Sequence, residues 1–238
     1  MTLISIPIQN IIPLGPDCSV RNIKRAVIGG RKCMSVCPLE SVWTYDPCMP
    51  AISPAFGSGQ VVAALIKNDF RGFADDLVLS HRGKPRSRIY PIEFSHFRNR
   101  FESVEPSYSL LIKKFIRDMT NFERVVFVMG LRVDYMLSSM PFINSFANLH
   151  CYYVKHLMDT IKERYPHLEF SLIHITYVKT GVEIHQVYAD AIDLLLSKVP
   201  SCLPKRLVVA KSRDAYRPEF EQWRTLASEI FNLVSPSP

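Results

Sequence analysis

The stretch RVVFVMG, residues 124–130, is an apolar run that ends in glycine. A run this short and this continuous is typical of a parallel strand buried on both faces. Outward from it, the apolar residues of 106–119 and 146–164 recur at the spacing of amphipathic helices. A second apolar run, FSLIHITYV at 170–178, follows the second helix. Strands that alternate with helices predict βαβ units and a mostly parallel sheet.

The same alternation extends to both ends of the chain. Residues 5–14 predict a first strand that stops at Gly15, and residues 18–28 predict a helix with Asp17 as its N-cap. The pattern predicts three further elements, namely a helix at 184–195, a strand at 205–211 and a last helix at 220–234. We therefore predict a single-domain, Rossmann-like α/β fold over residues 1–238, with a mostly parallel sheet flanked by helices.

Between these regular parts lie segments with weaker patterns. Residues 29–58 are rich in proline and cysteine and predict an irregular connection, and connections this long are usually functional. Residues 59–70 predict a helix, and HRGKPRSR at 81–88 predicts a basic loop. A short strand-like run extends from Ile92 to Phe97.

The composition limits the class of protein. The 238 residues are 47% hydrophobic and 21% charged, which is typical of a globular protein and not of a disordered one. The net charge of +7 favours acidic partners, and the basic loop 81–88 could bind nucleic acid or another polyanion weakly. Neither a P-loop nor a dinucleotide-binding motif is present, so we predict no cofactor.

No segment approaches the roughly 20 uninterrupted apolar residues that a transmembrane helix needs. The first residues are apolar but lack the basic region and cleavage site of a secretory signal. Without such a signal, the six cysteines are expected to be thiols in a reducing compartment, and we predict a cytoplasmic location.

Cys18 follows the first predicted strand at the start of the first predicted helix. In open α/β sheets, binding sites gather at the carboxyl ends of the strands. Free N–H groups at a helix start would stabilise a thiolate there and could also bind an oxyanion. A buried structural thiol is the alternative, because free cysteine is among the most buried residue types.

Two other groups of side chains, three cysteines and the histidines, are candidates for a chemical site. Cys33, Cys37 and Cys48 form a C-x3-C-x10-C pattern, but no histidine lies among them to complete a tetrahedral zinc site, so we predict no metal. Among the seven histidines, His96 is flanked by Phe94 and Phe97 and is a reasonable general base.

Several motifs occur together in an order typical of one family. They are Leu14-Gly15-x-x-Cys18-x-Val20, Asn68-Asp69-Phe70-x-x-Phe73 and Phe94-Ser95-His96-Phe97, and a basic helix and an apolar strand then follow over 108–129. The chain therefore resembles, over residues 10–130, an uncharacterised family described as papain-like cysteine peptidases. The family's Pro-Phe-Asp-Trp element is replaced here by Pro-Leu-Glu-Ser-Val-Trp, residues 38–43.

The resemblance implies Cys18 as the nucleophile and His96 as the base. It also implies an acidic residue that orients the histidine, which here would be Glu40. Around them we predict four substrate-binding residues: Gly15, Asp17, Ser19 and Trp43. A papain-like α+β architecture is the alternative fold, but the βα pattern favours the Rossmann-like one.

The leading functional hypothesis is a cysteine-dependent hydrolase or acyl-transfer enzyme with a Cys18–His96 dyad, which acts on a peptide, amide or thioester. The alternative is a non-enzymatic protein that binds nucleotides or nucleic acid through its basic surface. A third hypothesis is an interaction module in which the cysteines are structural, with or without bound zinc.

Overall fold

A computed structural model of the chain describes residues 10–14, 43–44, 58–80, 83–94, 97, 100–132, 143–179 and 207–212. Within these ranges the chain forms two four-stranded sheets and three α-helices. The helices predicted at 18–28, 184–195 and 220–234 lie outside the described residues.

The larger sheet is parallel, as the sequence predicts. Its strands are β1 (Ile11–Pro13), β6 (Arg124–Arg132), β7 (Glu169–Lys179) and β8 (Leu207–Ser212), in the order β1-β6-β7-β8. Val125 to Met129 are all buried, so the prediction of a buried parallel strand around residues 124–130 is confirmed. An α/β protein with a parallel sheet is therefore the observed class.

The second sheet is antiparallel and was not predicted. It consists of β2 (Trp43–Thr44), β3 (Leu77–Leu79), β4 (Pro85–Ser87) and β5 (Ile92–Glu93), in the order β2-β5-β4-β3. The predicted basic loop at 81–88 is wrong in part, because residues 85–87 are a strand. Between β3 and β4, the Gly83 N–H donates to the Ser80 carbonyl at 2.9 Å, and Gly83 has a φ of +68°.

The helices are α1 (Ser58–Lys67), α2 (Val104–Asn121) and α3 (Ile143–Arg164). The prediction for α2 is confirmed, since Tyr108, Phe115 and Met119 are buried on one face. The helix predicted at 59–70 is too long, because Asp69 and Phe70 have φ values of 50° and 61°, which a right-handed helix does not allow. The strand-like run 92–97 is also shorter than predicted, because a turn bond joins the Phe97 N–H to the Phe94 carbonyl at 3.0 Å.

One hydrophobic core connects the two sheets. It contains Leu14 next to β1, Ile92 and Phe94 from the antiparallel sheet, and Phe127 and Leu172 from the parallel sheet. A cluster of aromatic rings fills its centre, with Tyr108 of α2 in edge contact with Phe73 and Phe94. The core therefore holds the ends of both sheets in fixed positions relative to each other.

Candidate functional site

Leu14, the last described residue before Cys18, is bound to the parallel sheet. Leu14 is fully buried, and its N–H donates to the carbonyl of Val128 in β6 at 2.8 Å. This bond continues the parallel ladder by one residue beyond β1. The chain thus leaves the sheet at the carboxyl end of β1, four residues before Cys18. The strand predicted before Cys18 is confirmed over Ile11–Pro13.

The predicted site residues Gly15, Asp17, Cys18, Ser19, Glu40 and His96 lie outside the described residues. Of the predicted site, only Trp43 has a described backbone position. It belongs to β2, at the register position opposite Glu93 of β5. Its placement in a short antiparallel sheet was not predicted from the sequence.

The two phenylalanines that flank His96 in the sequence are anchored in the core. Phe94 is 1% exposed, and its ring lies 5.1 Å from that of Tyr108. Phe97 packs against the same ring at 5.8 Å, and its carbonyl accepts from the Arg100 N–H at 2.9 Å. The aromatic flanks of the F-S-H-F motif therefore have a packing role, which is sufficient to explain why both are aromatic.

The Asn68-Asp69-Phe70-x-x-Phe73 motif forms the turn that ends α1. The Phe70 N–H donates to the Leu65 carbonyl at 2.8 Å, and both phenylalanines are buried. The side chain of Asn68 donates to the Tyr90 hydroxyl at 3.2 Å. Both carboxylate oxygens of Asp69 accept from Arg164, at 2.8 and 3.0 Å. Both polar side chains of this motif thus have structural partners, so it supplies no free catalytic carboxylate.

Arg164 and its neighbour Tyr165 complete this contact between α1 and the end of α3. The hydrogen bond from Arg164 to Asp69 raises the pKa of the guanidinium, and the pair is largely exposed. Burial raises the pKa of the Tyr165 phenol, because a phenolate would lose its hydration there. Both shifts are those of a structural contact rather than of an acid–base pair.

The basic segment is only partly available to a polyanion. Within its described part, Lys84 forms an ion pair with Glu93 at 2.9 Å, and Arg88 forms one with Asp76 at 2.9 Å. Two of the three described cations of this segment are therefore already neutralised by carboxylates of the chain. This arrangement argues against phosphate binding by Lys84 or Arg88.

Arg86 is the exception. The side chain of Arg86 forms no ion pair or hydrogen bond with any described residue, and its Nε atom is buried without an acceptor. It occupies the β4 position opposite Glu93, which in turn is opposite Trp43. The sequence alone does not single out Arg86, because only the strand register separates it from the paired cations on either side.

Cys151 of α3 corrects the expectation that all six cysteines are free thiols, because it is disulfide-bonded. Its partner lies among the five cysteines outside the described residues: Cys18, Cys33, Cys37, Cys48 and Cys202. Over the described ranges, no group of three or more His, Cys, Asp or Glu residues is placed to hold a metal ion. The Cys33, Cys37 and Cys48 pattern falls outside those ranges.

Among the described helices, none is long and apolar enough to cross a membrane. Comparisons with protein-family models, with curated proteins and with solved structures found no match to this chain. The resemblance to papain-like cysteine peptidases therefore stays a prediction based on the motifs alone.

Proposed function

We propose that this chain is a cysteine-dependent hydrolase or acyl-transfer enzyme with Cys18 as its nucleophile and His96 as its base. The observation that carries the proposal is the anchoring of Leu14 at the carboxyl end of β1 in a parallel sheet. Binding sites of open parallel sheets gather at this edge, and Cys18 follows Leu14 by four residues.

The described residues nearest to Cys18 and His96 in the sequence share one hydrophobic core. Leu14, Phe94 and Phe97 all contact one hydrophobic core. Four extended residues span at most about 14 Å, and His96 directly precedes Phe97. The position of Leu14 and Phe97 at one core supports a dyad, although the two motifs are far apart in sequence.

In the proposed reaction, His96 accepts the thiol proton of Cys18 and the sulfur forms a bond to the substrate carbonyl carbon. The carbonyl oxygen takes the negative charge, and backbone N–H groups around Cys18 are proposed to bind it. When the tetrahedral intermediate collapses, His96 donates the proton to the leaving group. Water then hydrolyses the acyl-enzyme, or an acceptor nucleophile takes the acyl group.

The finer predictions belong to the same proposal. Glu40 would orient His96, and Gly15, Asp17, Ser19 and Trp43 would contact the substrate. The parallel sheet would be part of a Rossmann-like topology in a single domain. A cytoplasmic location requires that the Cys151 disulfide be reduced or transient there, because lasting disulfides are rare in the cytosol.

Alkylation with iodoacetamide across pH, followed by mass spectrometry, tests the nucleophile. After mild reduction, Cys18 should react first and remain reactive below the usual thiol pKa of about 8.5, since a thiolate paired with His96 persists at lower pH. His96→Ala should move its labelling back to that pH range. Cys18 reacting last, or all six cysteines reacting alike, would contradict the proposal.

His156→Ala is the matched control. His156 is exposed on α3, and its backbone carbonyl accepts a hydrogen bond from the Thr160 hydroxyl, which the substitution leaves in place. Its loss should leave the labelling of Cys18 unchanged at every pH. An equal effect of His156→Ala and His96→Ala would show that net charge, rather than a dyad, sets the reactivity.

The alternative of a polyanion-binding protein has weaker support. The ion pairs of Lys84 and Arg88 reduce the free positive charge of the basic segment. Binding to nucleic acid that falls steeply with salt concentration would favour this alternative, and no binding at low salt would exclude it.

A further inference from the structure

Among the described residues, Arg86 is a cation of the antiparallel sheet without a partner, and it lies between two paired cations. Arg86 lies in β4 between Pro85 and Ser87, which are both buried, and Lys84 and Arg88 flank the strand on either side. Because side chains alternate between the faces of a strand, the three cations share the face away from the core. Lys84 and Arg88 are paired with Glu93 and Asp76, and Arg86 lies between them.

The pairing is unexpected from the strand register alone. Glu93 is directly opposite Arg86, where an Arg–carboxylate pair would be favourable, but its carboxylate binds Lys84 instead. The side chains of Lys84 and Glu93 are 26% and 16% exposed, so this pair is partly shielded from water. Glu93 therefore neutralises Lys84, and no described carboxylate neutralises Arg86.

Leaving Arg86 unpaired has an energetic cost. Its Nε–H is buried without an acceptor among the described residues, and a buried donor without an acceptor is destabilising, most of all in a charged group. Native proteins seldom leave such a group unpaired unless water, an ion or a ligand completes it. The guanidinium presents two parallel N–H groups along one edge, and this edge matches two oxygens of a carboxylate or phosphate.

We propose that Arg86 is a binding site for an oxyanion group, a carboxylate or a phosphate, carried by the ligand of this protein. The site lies in the same cross-strand row as Trp43, two strands or roughly 10 Å away, with Glu93 between them. Glu93 precedes His96 by three residues in the sequence. The assignment of this ligand as the substrate of the Cys18–His96 dyad rests on the proposed function, whereas anion binding by Arg86 does not.

Titration of the full-length protein with inorganic phosphate and, separately, with sodium acetate tests the site. The readout is the Nε–Hε resonance of Arg86 in heteronuclear NMR spectra, with sodium chloride at matched ionic strength as the reference. The resonance should shift and saturate with an oxyanion but not with chloride. Tighter binding of phosphate would identify a phosphorylated ligand, and equal or tighter binding of acetate would identify a carboxylate.

Variants separate this site from general positive charge, with binding followed by calorimetry. Arg86→Gln should weaken oxyanion binding about tenfold to a hundredfold, the range expected for hydrogen bonds to a charged group, and Arg86→Lys should restore only part of it. Arg88→Gln is the matched control, because it removes an equal charge that is already paired. It should leave the affinity unchanged.

Lys84→Gln gives an independent test. It releases Glu93, which should then pair with Arg86 across the strands and compete with the anion, so affinity should fall although Arg86 is intact. Equal binding by wild type and Arg86→Gln, or a resonance that responds to no oxyanion, would overturn the proposal. Neither outcome depends on whether Cys18 is reactive.

Discussion

The buried hydroxyl of Ser87 connects two separate segments of the chain. Its Oγ donates to the Gly72 carbonyl at 2.6 Å and accepts from the Tyr90 N–H at 3.1 Å. These bonds join the turn after α1 to the segment between β4 and β5. Ser87→Ala should therefore lower the free energy of unfolding by about 1–3 kcal/mol, because both backbone groups lose a partner in a buried place. Denaturant unfolding measures the change.

Thr120→Ala is the control for Ser87→Ala. The Thr120 hydroxyl also donates to a backbone carbonyl, that of Ile116 at 2.8 Å, but it is exposed on α2. Its removal should change the free energy of unfolding by no more than about 0.5 kcal/mol, since water replaces the lost bond. If the two variants unfolded alike, the hydroxyl of Ser87 would have no structural role.

At the scale of single residues, the sequence reveals motifs but not the contacts that their residues make. The spacing of Asn68, Asp69 and Phe70 was recognised as a motif, but its left-handed backbone and its bond to Arg164 were not. Asp69 and Arg164 lie 95 positions apart in the chain, so no local pattern could pair them. Arg86 was likewise indistinguishable from its neighbours until the strand register was known.

Helices α1 and α3 pack closely because of one small residue. A Cβ at Gly59 would lie 3.0 Å from the carbonyl oxygen of Tyr153, closer than ordinary van der Waals contact. Gly59→Ala should therefore destabilise the protein by about 1–3 kcal/mol, the usual cost of overpacking, although alanine favours the helix itself. Thermal or denaturant unfolding would measure the loss.

Gln60→Ala separates packing from helix propensity. Gln60 is the next residue of α1 and is exposed. Alanine there should leave the free energy of unfolding within about 0.5 kcal/mol of the wild type, because no neighbour is displaced. A Gly59→Ala variant as stable as Gln60→Ala would mean that the two helices move apart without cost.

Elements were predictable where the periodicity was long. Helix α2 has 18 residues and β6 has nine, so their apolar patterns repeat often enough to identify them. Strands β2 to β5 have two or three residues each, too few for alternation to be recognised. The end of α1 also escaped prediction, because the apolar pattern continues to Phe70 while the backbone turns away after Lys67.

For the whole molecule, the parallel sheet was predictable and the antiparallel sheet beside it was not. The former follows from strands that alternate with helices, whereas the latter depends on contacts made through the shared core. The candidate dyad came from motifs and not from periodicity. In the sequence, Cys18 follows β1, the first strand of the parallel sheet. His96 follows β5, which is the last strand of the antiparallel sheet in chain order.

The Cys151 disulfide links α3 to one of five other cysteines, and the proposed nucleophile Cys18 is among these five. The disulfide therefore bears on both the stability and the proposed chemistry of the protein. Reduction should lower the free energy of unfolding by roughly 2–4 kcal/mol, since the open chain gains conformational entropy when it unfolds. Cys151→Ser should show the same loss without reductant. Peptide mapping under non-reducing conditions identifies the partner, and alkylation of Cys151 in the untreated protein would contradict the disulfide.

The identity of the partner decides how redox state and reactivity are related. If Cys151 is linked to Cys18, the oxidised protein cannot be alkylated at its proposed nucleophile, and Cys151→Ser restores labelling without reductant. If the partner is any of the other four cysteines, reduction changes stability and leaves the labelling of Cys18 unchanged. Comparing wild type and Cys151→Ser, each with and without reductant, therefore distinguishes a redox control of the active thiol from a purely structural bond.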